Sequence, residues 1–379
     1  MKTHAHHTLR IGKPLAHTST MHAVLLTGHG GIEMLDYLTN VPIPQPKAGE
    51  LLIQVSAAGI NNTDINTRIG WYSKGVSEAT NSGGATGFDS VNGDDASWSG
   101  TPLVFPRIQG ADVCGTVVAV GKGVSDSRIG ERVLVRNMLR TYVDFRPFEC
   151  WTIGSDCDGG FAQFVVAPAI ETHAVDCSWT DAELASVPCA YSTAENMLLR
   201  AGVGAELVLV TGASGGVGSA AVQLAKRRGA EVIALSSASK ANDVLALGAD
   251  RVIDRNADLV AELGEGSVDV VIDLVAGDQW PSFLDVLRRG GRYATAGAIA
   301  GPLAQIDVRT LYLKDLTLFG CTFQEDEVFA NLIRYIEAGE IRPVVAQTYP
   351  LRDIARAQAD FLTKKHTGKL VLIPPQVTS

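Results

Sequence analysis

The chain has 379 residues, enough for two domains with a core each, and its 46% hydrophobic and 19% charged residues exclude wholesale disorder. Lys and Arg number 32 against 41 Asp and Glu, a net charge of -9, so no broad basic surface exists to neutralise phosphates and nucleic acid is excluded as a partner. No apolar run approaches the roughly 18 residues that span a bilayer, which argues against a membrane partner.

The six cysteines, at 114, 150, 157, 177, 189 and 321, are scattered without a repeating spacing. That pattern predicts free thiols in a reducing, cytoplasmic setting. Residues 1–20 lack the apolar centre of a secretion signal and read as a frayed tail carrying His4, His6 and His7.

From Met21 the text becomes strand-like. "MHAVLLTGHGG", "LLIQVSAAGI", "CGTVVAVGKGV", "GERVLVR" and "GGFAQFVVAP" are aliphatic and β-branched runs bounded by Gly and Pro, so residues 21–185 read as a mostly β domain. Residues 71–105 interrupt it with a stretch rich in Gly, Ser, Asn and Asp, holding Trp71, Tyr72, Phe88 and Trp98. An irregular insertion of that length is a lid, a binding loop or a disordered segment.

After about residue 185 strands alternate with helices, which predicts a parallel sheet covered on both faces over residues 186–322. Residues 323–379 offer two helices and a closing strand, predicted to return to the first domain. The strongest local signal is "VLVTGASGGVGSAAVQLAK". There an apolar strand runs into Ser214, Gly215, Gly216, Val217 and Gly218, and the helix that follows presents free N–H groups and a positive dipole end to a pyrophosphate. Ala213 takes the first glycine place of a strict G-x-G-x-x-G, so the dinucleotide reading rests on the strand–turn–helix–strand context rather than on the motif alone.

An NAD site places Asp or Glu at the end of the second strand; here that strand ends in Ser236, Ser237, Ser239 and Lys240, and Arg255 ends the next. Hydroxyls and cations suit a 2′-phosphate, which predicts NADPH over NADH.

These residues, with "AAGINNTD", "GADVCGTVVAVGKGV", "GERV", "DGGFAQFVV" and "VPCAYSTAENML", resemble the medium-chain dehydrogenase/reductase superfamily over nearly the whole chain from Met21. The resemblance implies an α/β architecture: a GroES-like β-rich catalytic domain, a Rossmann doubly wound parallel sheet, and a cleft between them for nicotinamide and substrate. Zinc-dependent members of the superfamily hold a catalytic metal at positions that here read Asn61, Ala111 and Cys189. Their structural zinc needs four close cysteines, where only Cys150 and Cys157 are found. A catalytic zinc needs about three protein ligands, so no zinc is expected, and Asp112 and Asp156 read as bonded carboxylates rather than substitute ligands.

By the same resemblance, to the zinc-free quinone oxidoreductase branch, Asn61 and Asp64 lie beside the nicotinamide and ribose, with Asn61 able to hydrogen-bond an acceptor oxygen. Thr63 sits where zinc enzymes place a proton-relay hydroxyl, and Tyr72 is the candidate proton donor or stacking group. Thr193 and the backbone around Val275, Gly297 and Cys321 line the cofactor channel. The structural alternatives are turn satisfaction for Asn61 and Thr63, helix capping for Asp64 and loop packing for Tyr72.

The expected activity is NADPH-dependent hydride transfer to a quinone, enone or similar small activated acceptor. An enoyl-thioester reductase, which the acidic stretch 78–95 disfavours, and an alcohol dehydrogenase are alternatives of the same fold, and a non-catalytic nucleotide sensor is one of another class. The apolar strand "LTLFGCTF" is where this superfamily pairs subunits, so a homodimer is expected by analogy.

Overall fold

A computed structural model describes residues 20–376. Residues 1–19 and 377–379 lie outside the described residues, and with them the histidines of the N-terminal segment. The first strand opens at Thr20, one residue inside the stretch read as a tail.

The first domain is organised on the strand Glu50–Gly59, whose apolar run is buried along nearly all its length. It pairs antiparallel with Cys114–Val120 and Phe164–Pro168 in a seven-stranded sheet. The far end of the chain completes that sheet. Lys369–Ile373 pairs antiparallel with the end of the same strand, Val371 opposite Gly59, and Val345–Pro350 runs parallel beside it.

The second domain is a six-stranded parallel sheet in the order 251–254, 231–236, 207–210, 268–273, 287–295, 317–320. Its central strand shows why the sequence reads as a continuous apolar run. Val208 and Val210 enter the core cluster on one face while Leu209 enters that on the other, so every residue meets a hydrophobic layer. The loops that follow all six strands carry residues predicted to hold a cofactor, which gathers them at the carboxyl edge of the sheet, where ligands bind in open α/β folds.

The insertion 71–105 packs on the body of the molecule and includes a short helix, Thr80–Gly83. It is anchored by Arg68, a guanidinium shut off from solvent. Arg68 donates to the Gln358 side chain at 2.8 Å and to the carbonyls of Gly30 and Gly84 at 2.8 and 2.7 Å. Farther along, the Thr80 N–H donates to the Ile299 carbonyl of the second domain at 3.2 Å, and Ser99 donates to Asp156 at 2.6 Å. The insertion therefore ties the two domains together beside the cleft. Among the described residues no helix is long and apolar enough to cross a membrane.

Candidate functional site

The glycine turn is shaped by close approach. A Cβ on Gly218 would stand 2.2 Å from the Gly212 carbonyl oxygen and 2.7 Å from the Ala213 Cα, so only glycine lets the helix Gly216–Arg227 pack onto the turn. Gly212 itself holds a left-handed φ of 57°, which glycine adopts without strain. The first-turn N–H groups of the helix have no intrahelical partner and face the carboxyl edge of the sheet, a site suited to an anion. At the end of the neighbouring strand the Ser236 hydroxyl is buried and has no hydrogen-bond partner. An orphaned hydroxyl beside a glycine cradle fits a dinucleotide: the turn would take the pyrophosphate, and Ser236 and Ser237 the adenosine ribose side.

The rim of this cradle is basic. Lys240 lies against Ser214 (3.4 Å) and donates to the carbonyls of Lys364 and His366 at 2.6 and 2.8 Å, so the C-terminal segment 364–368 is strapped to the turn. The Gly368 N–H donates to the Ser214 carbonyl at 2.9 Å and reinforces the strap. Lys364 reaches Asn62 at 3.1 Å, and burial, with the charge of Lys240 adding to it, brings its pKa down to about 7. Burial and the neighbouring lysines push His366 down to about 4. Arg255 is exposed beside this group, its N–H bonded to the Ser236 carbonyl. Neither Lys240 nor Lys364 has a carboxylate among its hydrogen-bond partners.

Three further strand ends converge here. Asp273, fully buried, accepts from the Thr211 hydroxyl at 2.6 Å and from the Val275 and Ala276 N–H groups at 2.9 and 3.1 Å, which fixes the loop at Val275 and holds Ala276 at an unusual φ of 52°. Gly297 approaches the Leu274 carbonyl so closely that a Cβ would lie 3.1 Å from its oxygen. The Cys321 N–H donates to Thr295 at 2.9 Å, and burial raises its thiol to about 11, leaving it an inert wall residue.

The side predicted to be catalytic is built differently. Asp112 is completely buried, and one of its oxygens accepts from both Asn61 Nδ2 and Lys369 Nζ at 2.8 Å, while the other accepts from the Cys189 N–H at 2.6 Å. Lys369 Nζ also donates to Asn61 Oδ1 at 2.5 Å. Asn61 is thus a strut between a buried carboxylate and a buried ammonium, and its amide is not free to meet an acceptor oxygen. Asp64 accepts from the Asn61 N–H at 2.7 Å at the start of the helix Asn62–Ile69, so capping, the structural alternative, is what its carboxylate does. Burial, then the charge of Asp112, raises its pKa to about 7. Tyr72 donates to Thr63 Oγ1 at 3.0 Å and stacks edge-on against Trp98. Burial pushes its phenol well above its usual range, with the Cys189 thiol and Asp64 adding to the shift. Thr193 bonds toward the Cys189 thiol, whose own pKa burial pushes far up.

These donors do not fit a catalytic zinc. Of the three matching positions Ala111 offers no ligand, both oxygens of the adjacent Asp112 are taken up, and the Lys369 ammonium bonds Asn61 and Asp112 where a cation would otherwise sit. Cys150 lies against Met138 Sδ at 3.7 Å and Asp156 is spent on Thr152 and Ser99. Among the described residues no group of three His, Cys, Asp or Glu could hold a metal.

Residues 47–176 match the model of the alcohol dehydrogenase GroES-like domain and 216–338 that of the zinc-binding dehydrogenase family. A crystal structure from Sinorhizobium meliloti 1021, provisionally titled an alcohol dehydrogenase, is 46% identical with a TM-score of 0.83, covering 94% of this chain and 97% of its own. The chain belongs to the medium-chain dehydrogenase/reductase superfamily.

Within the superfamily it stands in the quinone oxidoreductase-like branch and is an oxidoreductase. The quinone oxidoreductase of Sus scrofa is 29% identical, covering 93% of this chain and 98% of its own length. The chloroplastic NADPH-dependent alkenal/one oxidoreductase of Arabidopsis thaliana is 28% identical, covering 93% and 80%. The two-domain α/β fold is that of the superfamily.

Reading this medium-chain dehydrogenase/reductase from sequence misses Lys369, Lys364, His366 and Asp273. Lys369 opens an apolar strand and its partners lie 257 and 308 positions earlier, so no local pattern announces it. Asp273 had a signal: a carboxylate ending an otherwise apolar strand next to "LVAG".

Proposed function

We propose that this protein is a zinc-independent, NADPH-dependent reductase of quinones, enones or similarly activated small acceptors, working in a reducing, cytoplasmic compartment as a homodimer. The observation that carries the reading is the Lys369–Asp112–Asn61 hub, a closed set of buried partners at the positions where zinc members assemble a metal. Oxidation of a simple alcohol needs several kcal/mol of alkoxide stabilisation that a metal ordinarily gives. A quinone or enone delocalises the incoming charge in its own π-system, so alignment with the nicotinamide supplies much of the catalysis.

NADPH bound at the glycine turn would supply the hydride. The chain's own residues would do the rest: Val275, Gly297 and Cys321 shape the channel, and Thr193 and Cys189 wall it. The phenol of Tyr72, kept protonated at neutral pH, would pass a proton with Thr63 toward the reduced acceptor. NADPH is favoured over NADH by the serines ending the second strand, by the basic rim of Lys240, Lys364 and Arg255, and by the NADPH dependence in the name of the Arabidopsis relative.

Steady-state assays with both cofactors on a panel of quinones and enones test the reading. Turnover with NADPH at markedly higher kcat/KM than with NADH is expected, and equal or better efficiency with NADH removes the cofactor assignment. Stoichiometric zinc that supports activity would overturn the metal-independent mechanism. For the dimer, Val308, Tyr312 and Leu313 are more than half exposed beside the edge strand Thr317–Gly320, an apolar face that a second copy would cover. Light scattering after size exclusion should give twice the chain mass.

A further inference from the structure

We propose that Asn66 is a positioning residue for proton transfer: clamped by Thr80, its amide turns the hydroxyl of Tyr72 toward Thr63. The inference rests on the proton donation proposed above for Tyr72 and Thr63.

Asn66 lies within the helix Asn62–Ile69 and is only 6% exposed, a place where an apolar residue would suit a helix better. Both ends of its side chain are in use. The hydroxyl of Thr80, itself buried, donates to Asn66 Oδ1 at 3.1 Å. Thr80 is fixed in turn by its N–H on the Ile299 carbonyl at 3.2 Å, two residues past Gly297. With Oδ1 committed, the other end of the amide can only donate. That end meets Tyr72. Asn66 acts on the phenol oxygen as a hydrogen-bond partner that favours the ionised form, as only a donor does, so the group involved is Nδ2.

A phenol has one proton. With Nδ2 donating to its oxygen, the Tyr72 O–H has no acceptor on the Asn66 side and goes to Thr63 Oγ1 at 3.0 Å. The Trp98 ring, edge-on at 5.0 Å between centroids, steadies the Tyr72 ring. Thr63 and Tyr72 each keep part of their surface open to solvent, whereas Asn66 and Thr80 behind them are buried. A small acceptor can meet the first pair but not the second, so Asn66 acts through Tyr72.

The hydride with its two electrons comes from NADPH, and the chain supplies one proton. Thr63 Oγ1 gives its proton to the reduced acceptor and takes the Tyr72 proton in its place. The phenolate left behind keeps Asn66 Nδ2–H as its donor until solvent returns a proton. Without that donor the phenol releases its proton less readily, and its O–H is no longer aimed at Thr63.

The test is a double-mutant cycle on the full-length enzyme with NADPH, reading kcat, KM and the solvent deuterium effect for 1,4-naphthoquinone and for 2-cyclohexen-1-one. Loss of a hydrogen bond to a group that becomes charged should make Asn66→Ala lower kcat about tenfold, with little change in acceptor KM and a larger deuterium effect. In a Tyr72→Phe background, itself slowed about 100-fold by loss of the general acid, the same substitution should change kcat by less than about twofold, because the two residues act as one unit. A merely structural role would slow both backgrounds alike. That result, or an unchanged kcat in the Asn66→Ala single variant, overturns the positioning role alone. Thr80→Val frees the amide to turn over with little change of volume, and gives the same comparison if the alanine variant does not fold. A Tyr72→Phe enzyme as fast as wild type overturns the proton-donor assignment and this role with it. Wild-type protein that turns over neither acceptor overturns the proposed function as a whole.

Discussion

The glycine turn and the Lys369–Asp112–Asn61 hub lie side by side, bridged by one lysine, and they treat their polar groups in opposite ways. At the turn, the first N–H groups of the helix and the hydroxyl of Ser236 are left for something else to satisfy. At the hub, Asn61 and Asp112 are saturated by Lys369, by Cys189 and by each other. The lysine stem crosses the helix start, where a Cβ on Gly216 would come within 2.7 Å of Lys369 Cδ. The difference teaches that the first region is built to be completed by a ligand and the second to hold its own shape.

The severest way to break this comparison is to open the hub. Lys369→Met leaves the Asp112 carboxylate buried without its cation, and removal of one partner of a buried pair costs about 3–5 kcal/mol. Urea unfolding should show that loss, and Asp112→Asn in the same background should recover part of it. A Lys369→Met protein as stable as the wild type would show that the ammonium is not what holds the hub.

Next in size is closure of the turn. Gly218→Val puts carbon where only hydrogen fits, 2.2 Å from the Gly212 oxygen, so the turn must shift away from the pyrophosphate. NADPH affinity should fall about 100-fold, roughly 2.7 kcal/mol. Calorimetric titration reads this directly, and affinity within threefold of wild type would remove the cradle from the comparison.

A smaller effect separates the hub from its neighbour Asp64. Burial, helped by Asp112, raises its pKa from 3.8 to about 7, so the folded state holds the proton more tightly than the unfolded chain. The associated stability is fully present below about pH 4 and is lost as pH rises through 7, at up to about 1.4 kcal/mol per pH unit. Asp64→Asn should remove that slope. Unfolding midpoints of the two proteins measured from pH 4.5 to 7.5 should diverge steadily, and parallel curves would show that Asp64 is charged throughout.

How much of this was legible beforehand follows the same division. The turn is local: a strand, four glycines within seven residues and a helix announce it within twenty positions, and the parallel sheet follows from alternation. The hub is not local. Asn61, Ala111 and Cys189 could be matched to metal positions, but the saturation of Asn61 and Asp112 by a lysine from the last strand depends on the C-terminal segment folding back across the whole chain. The insertion was legible only as irregular. Its anchorage depends on Arg68, a cation buried within an otherwise polar helix where composition predicts exposure.

The finest distinction falls on Lys240, which belongs to both regimes. Its ammonium holds the 364–368 strap through two carbonyls, yet it stands beside Ser214 among cations that lack carboxylate partners. If it reads a 2′-phosphate, Lys240→Ala should cut the preference for NADPH over NADH about tenfold, roughly 1.4 kcal/mol, and leave kcat/KM with NADH nearly unchanged. If it serves only to hold the strap, both cofactors lose equally, because each must pass the same glycine turn that the strap covers. The ratio of the two efficiencies, not either value alone, decides whether this lysine faces a ligand or the fold.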